Sequence, residues 1–138
     1  MDTLFSTIYF YTNGLYGQEL DNYLYDTVPG YIHVGLAMVV LSVITTILFY
    51  YMLKPVRHQM GIWFGCLSLN ALLNMAVALW YTNTPLINNE IDESETWTTL
   101  DTFGFGIANI IWSVIFVVVF SLLFKWWSPA KYIPFRKF

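Results

Sequence analysis

Three long apolar runs stand out along the chain, at Tyr31–Leu53, Gly61–Thr82 and Phe103–Phe124. None alternates with the period of two that marks the strands of a membrane β-barrel. Each is longer than the roughly 20 residues that carry a helix across a ~30 Å hydrocarbon core. The pattern predicts an all-α membrane protein with three transmembrane helices, at 31–53, 61–82 and 103–124, preceded by a short interfacial helical segment. In that segment, residues 1–30, Leu4, Ile8 and Tyr11 share one helical face, and Gly14 offers a stop. A second stripe of Leu20, Tyr23, Leu24 and Thr27 then runs toward Pro29 and Gly30. Seven Tyr or Phe among the first 25 residues suit the headgroup layer, where amphipathic rings settle. Interfacial helices ordinarily carry Lys or Arg, whereas this segment is acidic. It is therefore expected to dock on protein as much as on lipid, with a neighbouring subunit as a candidate surface.

The connections follow from the same pattern. Lys54–Met60 forms a tight hairpin, with Pro55 discouraging helix continuation. Residues 83–102 form a polar, acidic loop in which Ile91 and Trp97 are the hydrophobic exceptions. From Trp126 onward, aromatic rings alternate with cations and prolines, the composition of a strap along a membrane surface. The domain organisation expected is an interfacial segment (1–30), a three-helix membrane domain (31–125) and an aromatic, basic tail (126–138).

Composition adds weight to lipid as the solvent. Charged residues make up 11% of the chain and hydrophobic residues 57%, with a mean hydropathy of +0.56, against about 25% charged in soluble domains. Charge also gives direction. All six cations lie on one side of the spans: Lys54 and Arg57 in the hairpin, then Lys125, Lys131, Arg136 and Lys137. All nine acids lie on the other, at Asp2, Glu19, Asp21, Asp26, Glu90, Asp92, Glu93, Glu95 and Asp101. The positive-inside rule then places the N-terminus outside and the C-terminus in the cytoplasm of a cell membrane, inner or plasma. The N-terminal stretch has no basic region and no small-residue cleavage site, so it is expected to be retained.

Polar residues within the runs fall on narrow stripes. Cys66, Asn70, Asn74 and Ala78 recur every four residues on span two, and Thr102, Gly106, Asn109 and Ser113 share one face of span three. Matching depths in antiparallel helices puts Asn70, Ser113 and Ser42 in one layer, and Asn74 with Asn109 one turn away. Two readings arise: hydrogen-bonded glue between helices, or the lining of a hydrated path between several copies. The glue reading ranks first, because small uncharged polar groups in spans usually act so. Gly61 and Gly65 make a GxxxG step, and Gly104, Gly106 and Ala108 open span three, so these five are the expected close-packing positions. Trp63, Trp80, Trp126 and Trp127 are the expected interfacial anchors.

Several chemistries lack their residues. No Asp, Glu, Lys or Arg lies within the three runs, which disfavours ion-coupled motors and transporters. His33 and His58 sit at opposite ends of span one, ~30 Å or more apart, and cannot share a ligand sphere within one chain. His33 is expected to pack or hydrogen-bond near the interface, and His58 to be solvated. Cys66 has no accompanying base, and Ser42, Ser68 and Ser113 have no His or Lys at their depth. The acidic cluster at 90–95 lacks the spacing and glycine of a Ca²⁺ loop. Neither catalytic residues nor a metal, cofactor or nucleic-acid partner is expected. Lipid, copies of the same chain and other membrane-complex subunits are the expected partners. A small three-span chain with this orientation and a basic tail resembles phage holins in outline, a likeness of topology that covers no motif. The function expected is a homo-oligomeric membrane complex, a pore or channel-like effector; the alternative is a non-enzymatic accessory or scaffold subunit of a larger envelope complex.

The orientation is directly testable. Cysteines placed at Asn13 or Asp92 should react with a membrane-impermeant maleimide on intact cells, and cysteines at Arg57 or Lys131 should not. Labelling of Arg57→Cys from outside would reverse the topology.

Overall fold

Pro29 has no backbone donor to lose, and immediately after it the first long helix begins. The computed structural model describes residues 2–53, 58–88, 96–128 and 133–134. Helix α1 covers Asp2–Phe10, and a short 3₁₀ turn at Asn13–Leu15 leads to α2, Gln18–Asn22, which widens into a π-type turn at Tyr23–Thr27. Helix α3 spans Gly30–Ile47 and runs on as a π-type segment, Leu48–Leu53. Helix α4 spans Gln59–Ile87, and α5 spans Thr99–Phe124 with a final 3₁₀ turn at Lys125–Trp127. Three of these helices are long and apolar enough to cross a membrane. Lys54, Pro55, Arg57, Glu90, Ile91, Asp92, Glu93, Glu95, Lys131, Arg136 and Lys137 lie outside the described residues.

The bundle carries polar groups along its inner stripes and is apolar on its outward faces. Along α3 the buried stripe is Val34, Met38, Ser42 and Thr46; along α4 it includes Asn70, Asn74, Ala78 and Thr82; along α5 it includes Ala108, Asn109, Ser113, Val117 and Ser121. Leu36, Val40 and Ile44 face outward on α3, as do Leu69, Leu72 and Leu73 on α4 and Ile107, Ile111, Ile115 and Val119 on α5. Water-soluble bundles show the reverse arrangement, so this distribution is what a lipid surround selects.

Span two is longer than its apolar run. The helix continues past Thr82 and through Pro85 to Ile87. Within this polar stretch the hydroxyls find partners on the helix itself: Thr82 Oγ1 donates to the Ala78 carbonyl at 2.8 Å, and Thr84 Oγ1 to the Trp80 carbonyl at 2.7 Å. Span three starts on a capping box. The Thr98 side chain accepts from the Asp101 backbone N–H at 3.3 Å, and the Thr98 N–H donates to the Asp101 carboxylate at 2.9 Å, which satisfies two otherwise open donors.

The N-terminal segment departs most from expectation. Its docking surface is this chain's own helices. The buried positions are Phe5, Tyr9, Tyr16, Leu20 and Leu24, together with Tyr31, Val34, Ala78, Trp97, Phe105 and Ala108 from the rest of the chain. Leu4 and Tyr11, expected on the apolar face, are exposed. The apolar arc of α1, Leu4, Phe5, Ile8 and Tyr9, is wide, and complementary surfaces choose which part of it is buried. A Cβ at Gly35 would overlap the Phe5 ring, and one at Gly104 would overlap the Leu15 carbonyl. These two glycines therefore form the seats for Phe5 and for the 3₁₀ turn. The expected helix-to-helix role falls instead to Gly106, whose Cβ would meet Met75 at 3.2 Å and Leu79 at 3.5 Å.

The opposite, basic end closes with a second cluster of Phe49, Tyr50 and Trp63. Ser128 Oγ donates to the Tyr50 carbonyl at 2.6 Å, the Tyr50 hydroxyl to the Ile133 carbonyl at 2.7 Å, and the Tyr51 hydroxyl to the Phe124 carbonyl at 3.1 Å. The described part of the tail thus turns back onto span one. Lys125 is buried there, with its ammonium 5.0 Å from the Trp126 ring centroid.

Gly104→Ala should lift the N-terminal segment, because backbone cannot yield as a side-chain tip does. The expected cost is about 1–3 kcal/mol, read as faster hydrogen exchange of the Tyr9–Leu24 amides in detergent. Gly14→Ala, where a Cβ meets nothing within 4 Å, is the control and should leave exchange unchanged. Equal exchange in both variants would show that the Leu15–Gly104 approach is not needed for docking.

Candidate functional site

A chain of polar groups runs through the middle of the bundle. On span one, Ser42 Oγ accepts from Asn70 Nδ2 across a long 3.4 Å, and Thr45 Oγ1 donates to Asn70 Oδ1 at 3.1 Å. Asn74 Nδ2 donates to the Asn70 carbonyl at 2.9 Å within α4. Asn109 Nδ2 donates to the Asn74 carbonyl across to α4, also at 2.9 Å. The remaining acceptor of that amide, Asn109 Oδ1, receives the Tyr9 hydroxyl from α1. Four helices are joined through three amides. Because each amide has both donors and acceptors, the same residue type serves α3, α4 and α5 and accepts α1.

The structure brings Ser42 close to Asn70, and Asn109 close to Asn74, while Ser113 does something else. Buried beside them, Ser113 Oγ donates to the Ile110 carbonyl of its own helix at 2.8 Å. Asn74 and Asn109 meet through a backbone carbonyl, and Asn74 Oδ1 has no partner among the described residues. All five expected pore-lining residues are enclosed within a single chain.

Above the amides, toward the acidic end, the polar chain becomes aromatic. The Tyr31 hydroxyl donates to the Asp21 carboxylate and lies 3.0 Å from the Tyr16 hydroxyl. The Tyr16 hydroxyl is 3.4 Å from the Tyr9 carbonyl. Tyr9 stacks on Tyr31 with ring centroids 5.0 Å apart, and Phe105 packs 5.3 Å from both Tyr9 and Tyr16. Offset and edge-on geometries of this kind add to the area the rings bury. Burial pushes the Tyr9 and Tyr16 hydroxyls well above the usual phenol range, so both remain donors at any physiological pH. Trp112 Nε1 ties the following turn down by donating to Thr12 Oγ1 at 3.3 Å. Sequence reasoning missed Tyr9, Tyr16, Tyr31 and Thr45. The available signal was a tyrosine every seven residues, at Tyr9 and Tyr16, ahead of a span that holds asparagines.

The other expected residues are scattered. Gly61 and Gly65 lie on the exposed face of α4, where a Cβ at either would meet nothing within 4 Å. Ser68, Leu69, Leu72 and Ala76 continue the same exposed face. Ala108 is fully buried against the N-terminal cluster. Trp80, Trp126 and Trp127 are exposed near the ends of the spans. Trp63 is not an anchor: it is buried between helices and donates to Ser121 Oγ at 3.2 Å. Its indole N–H has a partner inside the bundle, which removes the reason to sit at the headgroups. His33 Nδ1 lies 2.9 Å from the Tyr81 hydroxyl, and His58 is exposed at the head of α4. Cys66 is a free, half-buried thiol packed beside the basic-end cluster. No group of three or more potential metal ligands occurs among the described residues. No family model matches this chain, nor does any curated protein or solved structure.

The joint between Tyr9 and Asn109 is testable by a double-mutant cycle. Tyr9→Phe leaves Asn109 Oδ1 buried without its donor, at an expected cost of about 1–3 kcal/mol. Asn109→Leu removes both bonds. The two changes should be strongly non-additive, since the second leaves the hydroxyl nothing to lose. Additive losses of stability in detergent would mean that the two side chains act independently.

Proposed function

We propose that this chain is a non-enzymatic integral membrane subunit that associates with copies of itself through the Gly61–Gly65 face of α4. On this reading it serves as a scaffold or accessory subunit of a larger envelope complex in a cell membrane. The observation that carries the reading is the openness of that face. Glycine is an unfavourable helix residue, by about 1 kcal/mol relative to alanine. Two of them four residues apart, with no neighbour among the described residues to make use of the missing side chains, suit a helix that approaches from outside. The segregated charges support an orientation with the N-terminus outside and the basic end in the cytoplasm.

The enclosed amides favour a scaffold over a pore. For Asn70, Asn74, Asn109, Ser42 or Ser113 to line a path between copies, they would have to leave the hydrogen bonds and burial that they have within one chain. What each chain offers its neighbours is leucine, isoleucine, valine and small residues, a surface that packs well and wets poorly.

Replacing Gly65 by Leu adds four carbons at the contact, and overpacking costs about 1–3 kcal/mol per interface. In a closed ring the penalty recurs at every subunit. Native mass spectrometry in micelles should show an oligomer for the wild-type chain and smaller species for Gly65→Leu, with both still inserted. Purified wild-type protein should leave dye-loaded liposomes sealed. Dye release would favour the pore reading, and an unchanged copy number in Gly65→Leu would remove α4 as the interface.

A further inference from the structure

A crevice opens at the acidic end between α1, α2 with its π-type turn, and the start of α3. It consists of two adjoining cavities of about 400 and 350 Å³ that share Ser6, Tyr25 and Tyr31 as walls. Volumes of this order are those of small-ligand sites. Asp26 lines one cavity, and Asp21 with Phe10 lines the other. Two carboxylates and three aromatic rings thus line the pair of cavities, with Tyr25 and Tyr31 common to both. Phe10 and Tyr25 are exposed, at 68% and 65%, so their faces are available, while Tyr31 is buried and donates its hydroxyl to Asp21.

The charge that suits the crevice follows from its walls. No Lys or Arg lines either cavity among the described residues, and the described Lys125 lies at the other end of the spans. Rings present their negative faces to a cation, and a carboxylate adds its full charge. A metal ion fits poorly, since hard cations take six to eight oxygen ligands and no cluster of three or more acidic or other metal-binding side chains forms among the described residues. A large, weakly hydrated cation suits aromatic walls better, as quaternary ammonium groups do in aromatic cages.

We infer that this crevice binds an organic ammonium group, quaternary or alkyl-substituted, seated among Phe10, Tyr25 and Tyr31 with Asp21 and Asp26 as its counter-charges. The same chemistry is offered by a zwitterionic lipid headgroup and by a soluble ammonium compound. The inference is independent of how copies of the chain associate.

The test uses full-length protein in a maltoside detergent, titrated with tetramethylammonium and followed by NMR. Saturable binding is expected. Tyr25→Ala and Phe10→Ala, both at exposed positions, should each weaken it roughly three- to tenfold. Asp26→Asn should weaken it as well, and 3,3-dimethylbutanol, a neutral molecule of similar shape, should bind far more weakly than the cation. Repeating the titration in nanodiscs identifies the source. Loss of tetramethylammonium binding in phosphatidylcholine but not in phosphatidylglycerol assigns the site to a lipid headgroup, and equal binding in both assigns it to a soluble cation. The proposal fails if binding is not saturable, if the neutral analogue binds as well as the cation, or if the aromatic and acidic variants bind like the wild type.

Discussion

An amide buried away from water must find its partners within the protein, and the hydrogen bonds of Asn109 answer that constraint for the whole bundle. Its two ends reach in opposite directions, the Nδ2 to the backbone of α4 and the Oδ1 to the hydroxyl of Tyr9. A bond of this kind contributes only about 0.6 kcal/mol on average in membrane bundles. The larger effect is the cost of leaving the group unmade in a low-dielectric interior. Rotating α5 by one residue would carry Asn109 toward lipid and take Ala108 and Ser113 with it. The polar stripe therefore sets the rotation of each helix, and the outward leucines and isoleucines follow from that setting.

Two aromatic clusters close the bundle at its ends, by different means. At the acidic end the closing element is a separate segment, in which Phe5 sits against Gly35 and the turn at Leu15 against Gly104. At the basic end the spans and the described tail tie to one another, with Tyr50 bonded at both its hydroxyl and its carbonyl. Between them, the middle of the structure holds amides and hydroxyls where a soluble bundle holds leucine.

The three spans were legible because apolar runs of that length have few other uses, and their polar stripes were legible because asparagine in such a run is costly. The end of span two was not. Asn83 and Thr84 read as the start of a loop, yet the helix runs on through Pro85 to Ile87, with the hydroxyls of Thr82 and Thr84 bonded back to helix carbonyls. The face of α1 was also hidden, since Leu4, Phe5, Ile8 and Tyr9 form a wide apolar arc and Phe10 interrupts the polar side of Thr3, Ser6 and Thr7. Only the location of Gly35 and Gly104 decides between Phe5–Tyr9 and Leu4–Tyr11, and that is information about distant parts of the chain. Trp63 failed for a similar reason: nothing local to it announces Ser121.

The bond from Tyr9 to Asn109 spans 100 residues of sequence, and this bears on how the protein is made. At about 5–20 residues per second of synthesis, roughly 5–20 s separate the appearance of the hydroxyl from that of its acceptor. Through that interval α1 has only the Gly35 side of its seat, the glycines of α5 are not yet present, and the Asn74 carbonyl lacks the side-chain amide that it later accepts. The segment made ahead of the spans is thus the last to complete its docking, and any machinery that handles the nascent chain must hold or tolerate an incompletely seated, strongly aromatic segment until the third span arrives.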